Sequence, residues 1–415
     1  MRASKRPIYL DCNATTPVSP EVLAVMLPFF TEHFGNPSSF SHAYGWEAAA
    51  AVENAREILA EAIAAEPTEI IFTSGATEAN NLAIKGIAEA YLSEGRHIVT
   101  TQTEHSAVLA PCRYLETLGF EVTYLPVGAD GLIALSDLEK SLRTDTVLVS
   151  VMAANNEIGV LQPIEQIGKI CRDRNIIFHT DAAQALGKIP LNVQTMHIDL
   201  LSMTAHKLYG PKGIGALYVR RKNPRVQLAP QLHGGGQERG LRSGTLYTPQ
   251  IVGLGEAVRI AMQEREREAK RIGELRDRLW QSLKTLPGVH LNGHPTQRLP
   301  NNLSISVEGV NGNGLLSSLR GAIALSSGSA CSALNPAPSH VIKALGRSDQ
   351  LARATLRVGL GRQTHADDID QAAQAISAAI ASLRKAKEEP QQPSSLKAEQ
   401  SKSRAIQKPS NLKAE

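Results

Sequence analysis

Two short apolar runs, LLSM and GALYV, flank a polar turn punctuated by Gly and Pro in residues 199–219, DLLSMTAHKLYGPKGIGALYV. Runs of this length bounded by turn signals read as buried strands. The turn between them holds Thr204, His206 and Lys207 at the end of a strand. Desolvation and neighbouring cations disfavour an ammonium group, so a lysine placed there gives up its proton more readily than a surface lysine. The neutral amine is a nucleophile able to form a Schiff base with a carbonyl. Most of the 44 Lys and Arg are solvated surface charges, and a His-Lys pair alone would be read the same way. The flanking sequence separates the two readings.

Upstream, apolar runs alternate with helical patterns. EIIFT (69–73), HIVT (97–100), EVTYL (121–125), TVLVSVM (146–152) and IIFHT (176–180) are separated by helices expected at 76–94, 106–118, 136–142 and 163–174. With LLSM and GALYV they make seven strands joined by helical crossovers, which implies an α/β fold with a mostly parallel sheet covered on both faces. Ligands of such sheets bind beyond the strand C-termini. Nearer the N-terminus, Ser19-Pro20 is a helix start, and a Gly/Asn/Pro/Ser loop precedes an Ala-rich helix in residues 34–65.

Downstream of the glycine-rich HGGGQERGLRSGT (233–245), residues 250–286 read as long helical segments whose charged run EREREAKR (264–271) is a solvated face. VHLNG, NLSISV, IALSS and TLRVGL then alternate with helices as a smaller α/β unit. The expected division is a large domain at 15–258, a small domain formed by 1–14 and 259–385, and a disordered tail at 386–415. The tail is Pro, Gln, Ser and Lys with few large apolar residues, and PSSLKAE (393–399) recurs as PSNLKAE (409–415).

The 415 residues are 42% hydrophobic and 20% charged, an ordinary globular composition. Aromatic residues are 4%, too few for a stacking platform for nucleic acid. The net charge of +4 sits in residues 384–415, which hold eight Lys/Arg and four Asp/Glu, so the body is neutral and not built for steering to nucleic acid or membrane. Four widely spaced cysteines form no metal-ligand pattern and read as free thiols of a reducing compartment. The N-terminus lacks an apolar signal core, and no apolar run has transmembrane length, so the expected location is the cytoplasm.

Several polar motifs fall at the ends of the expected strands. SGATEANN (74–81) opens a helix where small residues let the backbone approach a ligand, and the first-turn amides with Thr77 form an anion site; a plain capped helix start reads equally well. FHTDAAQ (178–184) places Asp181 after a strand, where a carboxylate can keep a heterocycle's ring nitrogen protonated, or can serve as an N-cap. TEH (103–105) offers His105 to lie on a flat cofactor or to shuttle a proton. NNEIG (155–159) offers two amides for a carboxylate or a ring oxygen. SSGSACSALNPAPSH (326–340) sets Cys331 among small and turn-forming residues, as for a loop that carries a thiol to a bound substrate, whereas Cys112 and Cys171 fall on amphipathic helices.

Taken in order, LDCNATTP, FGNPSS, FTSGATEANNLAIKG, TEH, NNEIG, HTDAAQ, HKLYGPKGIGALYVR, GGGQERGLRSGT and SSGSAC resemble the pyridoxal-phosphate-dependent cysteine desulfurases of iron-sulfur cluster assembly and nitrogenase maturation, over residues 6–383. The resemblance implies the fold-type I architecture of class V aminotransferases in a homodimer with pyridoxal 5'-phosphate. It implies that Lys207 is the Schiff-base lysine, Asp181 the partner of the pyridinium nitrogen, Gln184 a hydrogen bond to the ring oxygen and His105 the stacked ring. Ala76, Thr77, Thr204 and His206 would hold the phosphate, with Thr245 reaching in from the other subunit, and Asn156 and Arg357 would bind the substrate carboxylate. The implied reaction converts L-cysteine to L-alanine and leaves a persulfide on Cys331 for a sulfur-acceptor or iron-sulfur scaffold protein. Cys12, where relatives often carry Tyr or Asn, has no expected role, and Thr204 keeps the hydroxyl of the Ser found in many relatives. The competing readings are an aminotransferase, which has no need of Cys331, a selenocysteine lyase, whose cysteine loop is shorter, and a non-catalytic protein of the same fold.

Overall fold

The computed structural model describes residues 6–327 and 337–388. Cys331 and the tail beyond residue 388 lie outside the described residues.

The chain opens with β1 (Ile8–Tyr9), α1 (Pro20–Met26), α2 (Pro28–Thr31) and α3 (Ala43–Ala62). Ser19 caps α1 as its Ser-Pro start implies, its Oγ accepting from Val22 N at 3.3 Å. The alternating stretch follows as β2 (Ile70–Thr73), α4 (Ala76–Ala90), β3 (His97–Thr101), α5 (Ser106–Glu116), β4 (Glu121–Leu125), α6 (Leu135–Ser141), β5 (Thr146–Ser150), α7 (Ile164–Asp173), β6 (Ile177–Asp181), β7 (Leu200–Thr204) and β8 (Gly215–Val219). These seven strands form one sheet in the order β2-β8-β7-β6-β5-β3-β4. Only β8 runs against the others, pairing antiparallel with both β2 and β7.

Both faces of the sheet are buried, and consecutive residues alternate between two apolar layers. Ile70, Phe72, Val149, Phe178 and Leu201 pack on one side with α3 and α7, and Ile71, Leu148, Ile177 and Leu200 on the other with α4 and α5. A strand covered on both faces is mostly apolar at every position, which is why these runs read as near-continuous hydrophobic segments. Cys112 and Cys171 are buried in these layers.

The second unit consists of α8 (Thr248–Leu283), β9 (Val289–Leu291), β10 (Asn302–Val307), α9 (Gly312–Leu319), β11 (Ile323–Ala324), α10 (His340–Ala344), α11 (Asp349–Arg353), β12 (Thr355–Gly359) and α12 (Ala366–Glu388). Its sheet is antiparallel in the order β12-β10-β9, and β11 pairs in parallel with β1. The helical segments expected at 250–286 are the single 36-residue helix α8. Ile251, Leu254, Ala257, Val258 and Ala261 of α8 join the large core, and Ile272, Leu279 and Leu283 join the small one. The two cores therefore change hands within one continuous helix, and α12 runs through Glu388, past the residue where the tail was expected to begin.

Candidate active site

The parallel strands end on one edge of the large sheet, so the residues that follow β2, β3, β5, β6 and β7 meet there. They line a cavity of about 400 Å³ that includes Ala76, Thr77, His105, Asn156, Asp181, Gln184, Thr204, His206 and Lys207. This is the size range of small-molecule and cofactor pockets. Arg357 and Thr245 are not in its lining.

Close backbone packing forms the floor of the site. A side chain on Gly215 would sit 2.3 Å from Met203 O and 2.7 Å from Gly75 Cα, so only glycine lets β8 pass between β7 and the turn after β2. Gly75, with φ of +150°, starts α4, and the first-turn amides of that 15-residue helix face the cavity end that Thr77 lines.

The Lys207 turn is held by the N-terminal segment. Thr16 N donates to His206 O at 2.8 Å, Thr16 Oγ donates to the same carbonyl at 3.0 Å, and Tyr209 N donates back to Thr16 Oγ at 2.8 Å. Tyr209 adopts φ of +66°, a strained region for a bulky residue. Its ring is fixed from both sides, the hydroxyl accepting from Arg362 N at 2.6 Å and the Arg362 guanidinium lying 4.3 Å from its centroid. Lys207 itself is half-buried.

Charge in the site follows burial. Desolvation, with Lys207, Lys212 and Lys188 nearby, pushes the His206 ring down to about 4, so it meets an anion as a neutral N–H donor. Its Nδ1 lies 3.1 Å from Thr15 Oγ. His105 is lowered by desolvation and by Lys207, and its Nδ1 accepts from Ala107 N at 3.1 Å, which places the proton of the neutral ring on Nε2. His105 thus caps α5 and faces the cavity at once. Desolvation and Lys207 push the Lys188 amine down to about 7.

Asp181 and Gln184 are oriented by residues absent from the expected set. Asp181 Oδ2 accepts from Asn80 Nδ2 at 2.7 Å and Oδ1 accepts from Ala183 N at 2.8 Å. Gln184 donates from Nε2 to Asn13 O at 2.8 Å, and its Oε1 accepts from Asn13 Nδ2 at 3.2 Å and Lys188 Nζ at 3.3 Å. The two amides of NNEIG divide their work. Asn155 is buried and builds the turn, its Oδ1 accepting from Glu157 N and Ile158 N, while Asn156 lines the cavity.

Arg357, in β12 of the small unit, is 2% exposed. Its Nη2 pairs with Asp11 Oδ1 at 2.9 Å and its Nη1 reaches Asn156 O at 3.3 Å, so it sits beside the cavity residue Asn156. Its Nε has no hydrogen-bond partner among the described residues. Thr245 is exposed on the loop that follows residues 238–240 and does not line this cavity. Asn80, Asn13, Lys188 and Asp11 were missed as site residues although Asn80, Asn13 and Asp11 lie inside the quoted motifs. An asparagine buried inside a helix is the signal that could have found Asn80.

The donor set fits pyridoxal phosphate. A helix N-terminus with Thr77 suits a phosphate, a carboxylate at Asp181 oriented by one hydrogen bond to each oxygen suits a ring nitrogen, and an amine at Lys207 suits an aldehyde. No group of acidic, His and Cys side chains among the described residues could hold a metal.

The aminotransferase class-V family profile matches residues 8–372. The chain is 56% identical over 380 residues to "Cysteine desulfurase IscS" of Methylococcus capsulatus, covering 92% of this chain and 94% of that one. It is 54% identical over 370 residues to the mouse cysteine desulfurase, covering 89% and 80%. Among solved structures, a NifS-like protein superposes with a TM-score of 0.85 at 40% identity, covering 91% of this chain and all of that one. SspA in complex with cysteine superposes with a TM-score of 0.75 at 42% identity, covering 85% and 98%. The chain belongs to the class-V aminotransferase family and, within it, to the pyridoxal-phosphate-dependent cysteine desulfurases.

Proposed function

We propose that Lys207 and Cys331 are the two working nucleophiles of a cysteine desulfurase that passes sulfur to an acceptor protein for iron-sulfur cluster or thio-cofactor synthesis. The observation that carries this reading is the meeting of Lys207, Asp181, Thr77, Gln184 and His105 around one cavity at a single sheet edge. Bound there, pyridoxal phosphate supplies the electron sink that weakens the Cα–H bond of an amino acid and allows its Cβ–S bond to break.

The chain's residues do the rest. Ala76, Thr77, Thr204 and His206 hold the phosphate, Asp181 the ring nitrogen and Gln184 the ring oxygen, while His105 covers the ring. Lys207 Nζ anchors the group and moves the Cα proton of L-cysteine. Arg357 and Asn156 take the substrate carboxylate; the Arg357 Nε left without a partner supports this role. Cys331 Sγ, outside the described residues, takes the sulfur. As the Cys331 Sγ–S bond forms, the substrate Cβ–S bond breaks with its electron pair left on Cβ; one thiol proton ends on Cβ and the Cα proton returns, so that L-cysteine and the Cys331 thiol give L-alanine and a Cys331 persulfide.

A homodimer is part of the reading. Phe30, Phe34, Tyr44, Trp46 and Tyr247 are exposed aromatic residues, and Phe30 meets Tyr247 edge-on at 6.3 Å. Thr245 stands two residues from Tyr247, so an exposed apolar patch adjoins the residue expected to reach the other subunit's phosphate. Action in the cytoplasm belongs to the same reading; no described helix is long and apolar enough to cross a membrane.

The test is to mix the purified yellow protein with L-cysteine in the absence of reductant and map Cys331 by mass spectrometry. One added sulfur on Cys331 with stoichiometric alanine is the expected result. Alanine without that mark means that sulfur leaves by another route, and 3-mercaptopyruvate formed from L-cysteine, or pyruvate formed from alanine, without sulfur release points to transamination.

A further inference from the structure

We propose that Asp11 and Glu157 are positioning residues that tie Ser326 and Ser339, the flanks of the Cys331 segment, to the surroundings of Arg357. Asp11 divides its two oxygens: Oδ1 accepts from Arg357 Nη2 at 2.9 Å, and Oδ2 accepts from Ser326 Oγ at 2.8 Å. The backbone repeats the link, with Arg357 N donating to Ser326 O at 2.8 Å and Ser326 N to Arg357 O at 3.4 Å. On the other flank, Ser339 Oγ donates to Glu157 Oε2 at 2.5 Å, both side chains being buried. Glu157 directly follows Asn156, whose carbonyl accepts from Arg357 Nη1 at 3.3 Å.

One flank is thus referred to the Arg357 guanidinium through the Asp11 carboxylate, and the other through Glu157 and the adjoining Asn156 carbonyl. Ser326 precedes Cys331 by five residues and Ser339 follows it by eight. A hydroxyl that donates to a carboxylate makes a charge-assisted bond, worth a factor of about ten or more in an equilibrium. The inference rests on the reading that Arg357 takes the substrate carboxylate and Cys331 takes the sulfur. Given that reading, the group that takes the substrate carboxylate is joined through Asp11 to one flank of the thiol segment and through the Asn156-Glu157 turn to the other. Productive approach of two reacting atoms depends on such positioning more than on binding strength.

The test uses the full-length holoenzyme with Ser326→Ala and Ser339→Asp. Ser339 also caps α10 by accepting from Ile342 N at 3.2 Å, and Asp keeps that cap while setting a second carboxylate against Glu157. In both variants the bound-cofactor absorbance and the KM for L-cysteine should stay within about twofold of the unaltered enzyme. The kcat for persulfide formation on Cys331 should fall about tenfold in each. Ser326→Thr and Ser339→Thr, which keep the hydroxyl, should recover it. An unchanged kcat in the first two variants, a rise in KM alone, or no recovery by Thr overturns the inference. Absence of persulfide on Cys331 in the unaltered enzyme overturns the underlying reading and the inference together; persulfide there with unaffected variants overturns the inference alone.

Discussion

Asn80 Nδ2 donates to Asp181 Oδ2 at 2.7 Å across 101 residues of sequence, in a part of the core with no solvent access to Asn80. Together with Ala183 N it fixes the plane of the carboxylate that faces the cavity. Asn80→Ala removes one of two donors and leaves the other side of Asp181 free to rotate. Cofactor affinity should fall about tenfold or more, as expected for a lost hydrogen bond to a charged group. Equilibrium titration followed by the absorbance of the bound cofactor measures it, and wild-type affinity in this variant would show that Ala183 N alone orients Asp181.

Glu104 is fully buried beneath the site, and desolvation with Asp181 nearby pushes its carboxyl up to about 8. Thr101 Oγ and Met152 N serve its Oε1, whereas Oε2 has no partner among the described residues. The folded protein therefore binds more protons than the unfolded chain between the ordinary carboxyl value of 4.5 and about 8, and stability falls as pH rises through that window. Glu104→Gln cannot ionise. Its melting temperature relative to wild type should rise from pH 5 to pH 9; a constant difference across that range would place Glu104 in its charged form throughout.

The loop that carries Thr245 is anchored to β2 through a buried pair. Glu238 accepts from Arg56 Nη1 and Nη2 at 2.9 and 2.8 Å and from Phe72 N at 2.6 Å. Glu238→Ala strands the Arg56 guanidinium in the core and should cost about 3–5 kcal/mol in urea denaturation. Adding Arg56→Met should cost less than the sum of the two single changes, because the second removes the stranded charge. Additive losses would mean that the two side chains act independently.

Lys207 and Cys331 act on different bonds in the proposed reaction. Cys331→Ala should keep the absorbance of the bound cofactor and lose alanine and persulfide formation by at least about 100-fold, in the range of a removed nucleophile. Loss of the absorbance as well would assign the thiol a structural role.

Much of this site was legible before folding. Asp181, Lys207 and Thr77 stand at the ends of apolar runs, and the fold rule that ligands bind beyond the C-termini of parallel strands brings them together. Other parts depend on the tertiary structure. NNEIG offers two equivalent amides, and only the turn geometry assigns Asn155 to the backbone and Asn156 to the cavity. His105 was read for its ring alone, whereas its position at the start of α5 makes it a cap whose hydrogen bond selects the tautomer.

The sequence by itself determined the seven strands, their two buried faces and the chemical types waiting at their ends, because these depend on periodicity and on residues adjacent along the chain. The tertiary structure decided how those groups are held. Thr16 splints the Lys207 turn, Asn13 engages Gln184 across 171 residues, and Asp11 pairs with Arg357 across 346. Contacts of such separation are set by how the two units pack around one long helix, and no local pattern along the chain encodes which hydrogen-bonding partner a buried polar group will meet.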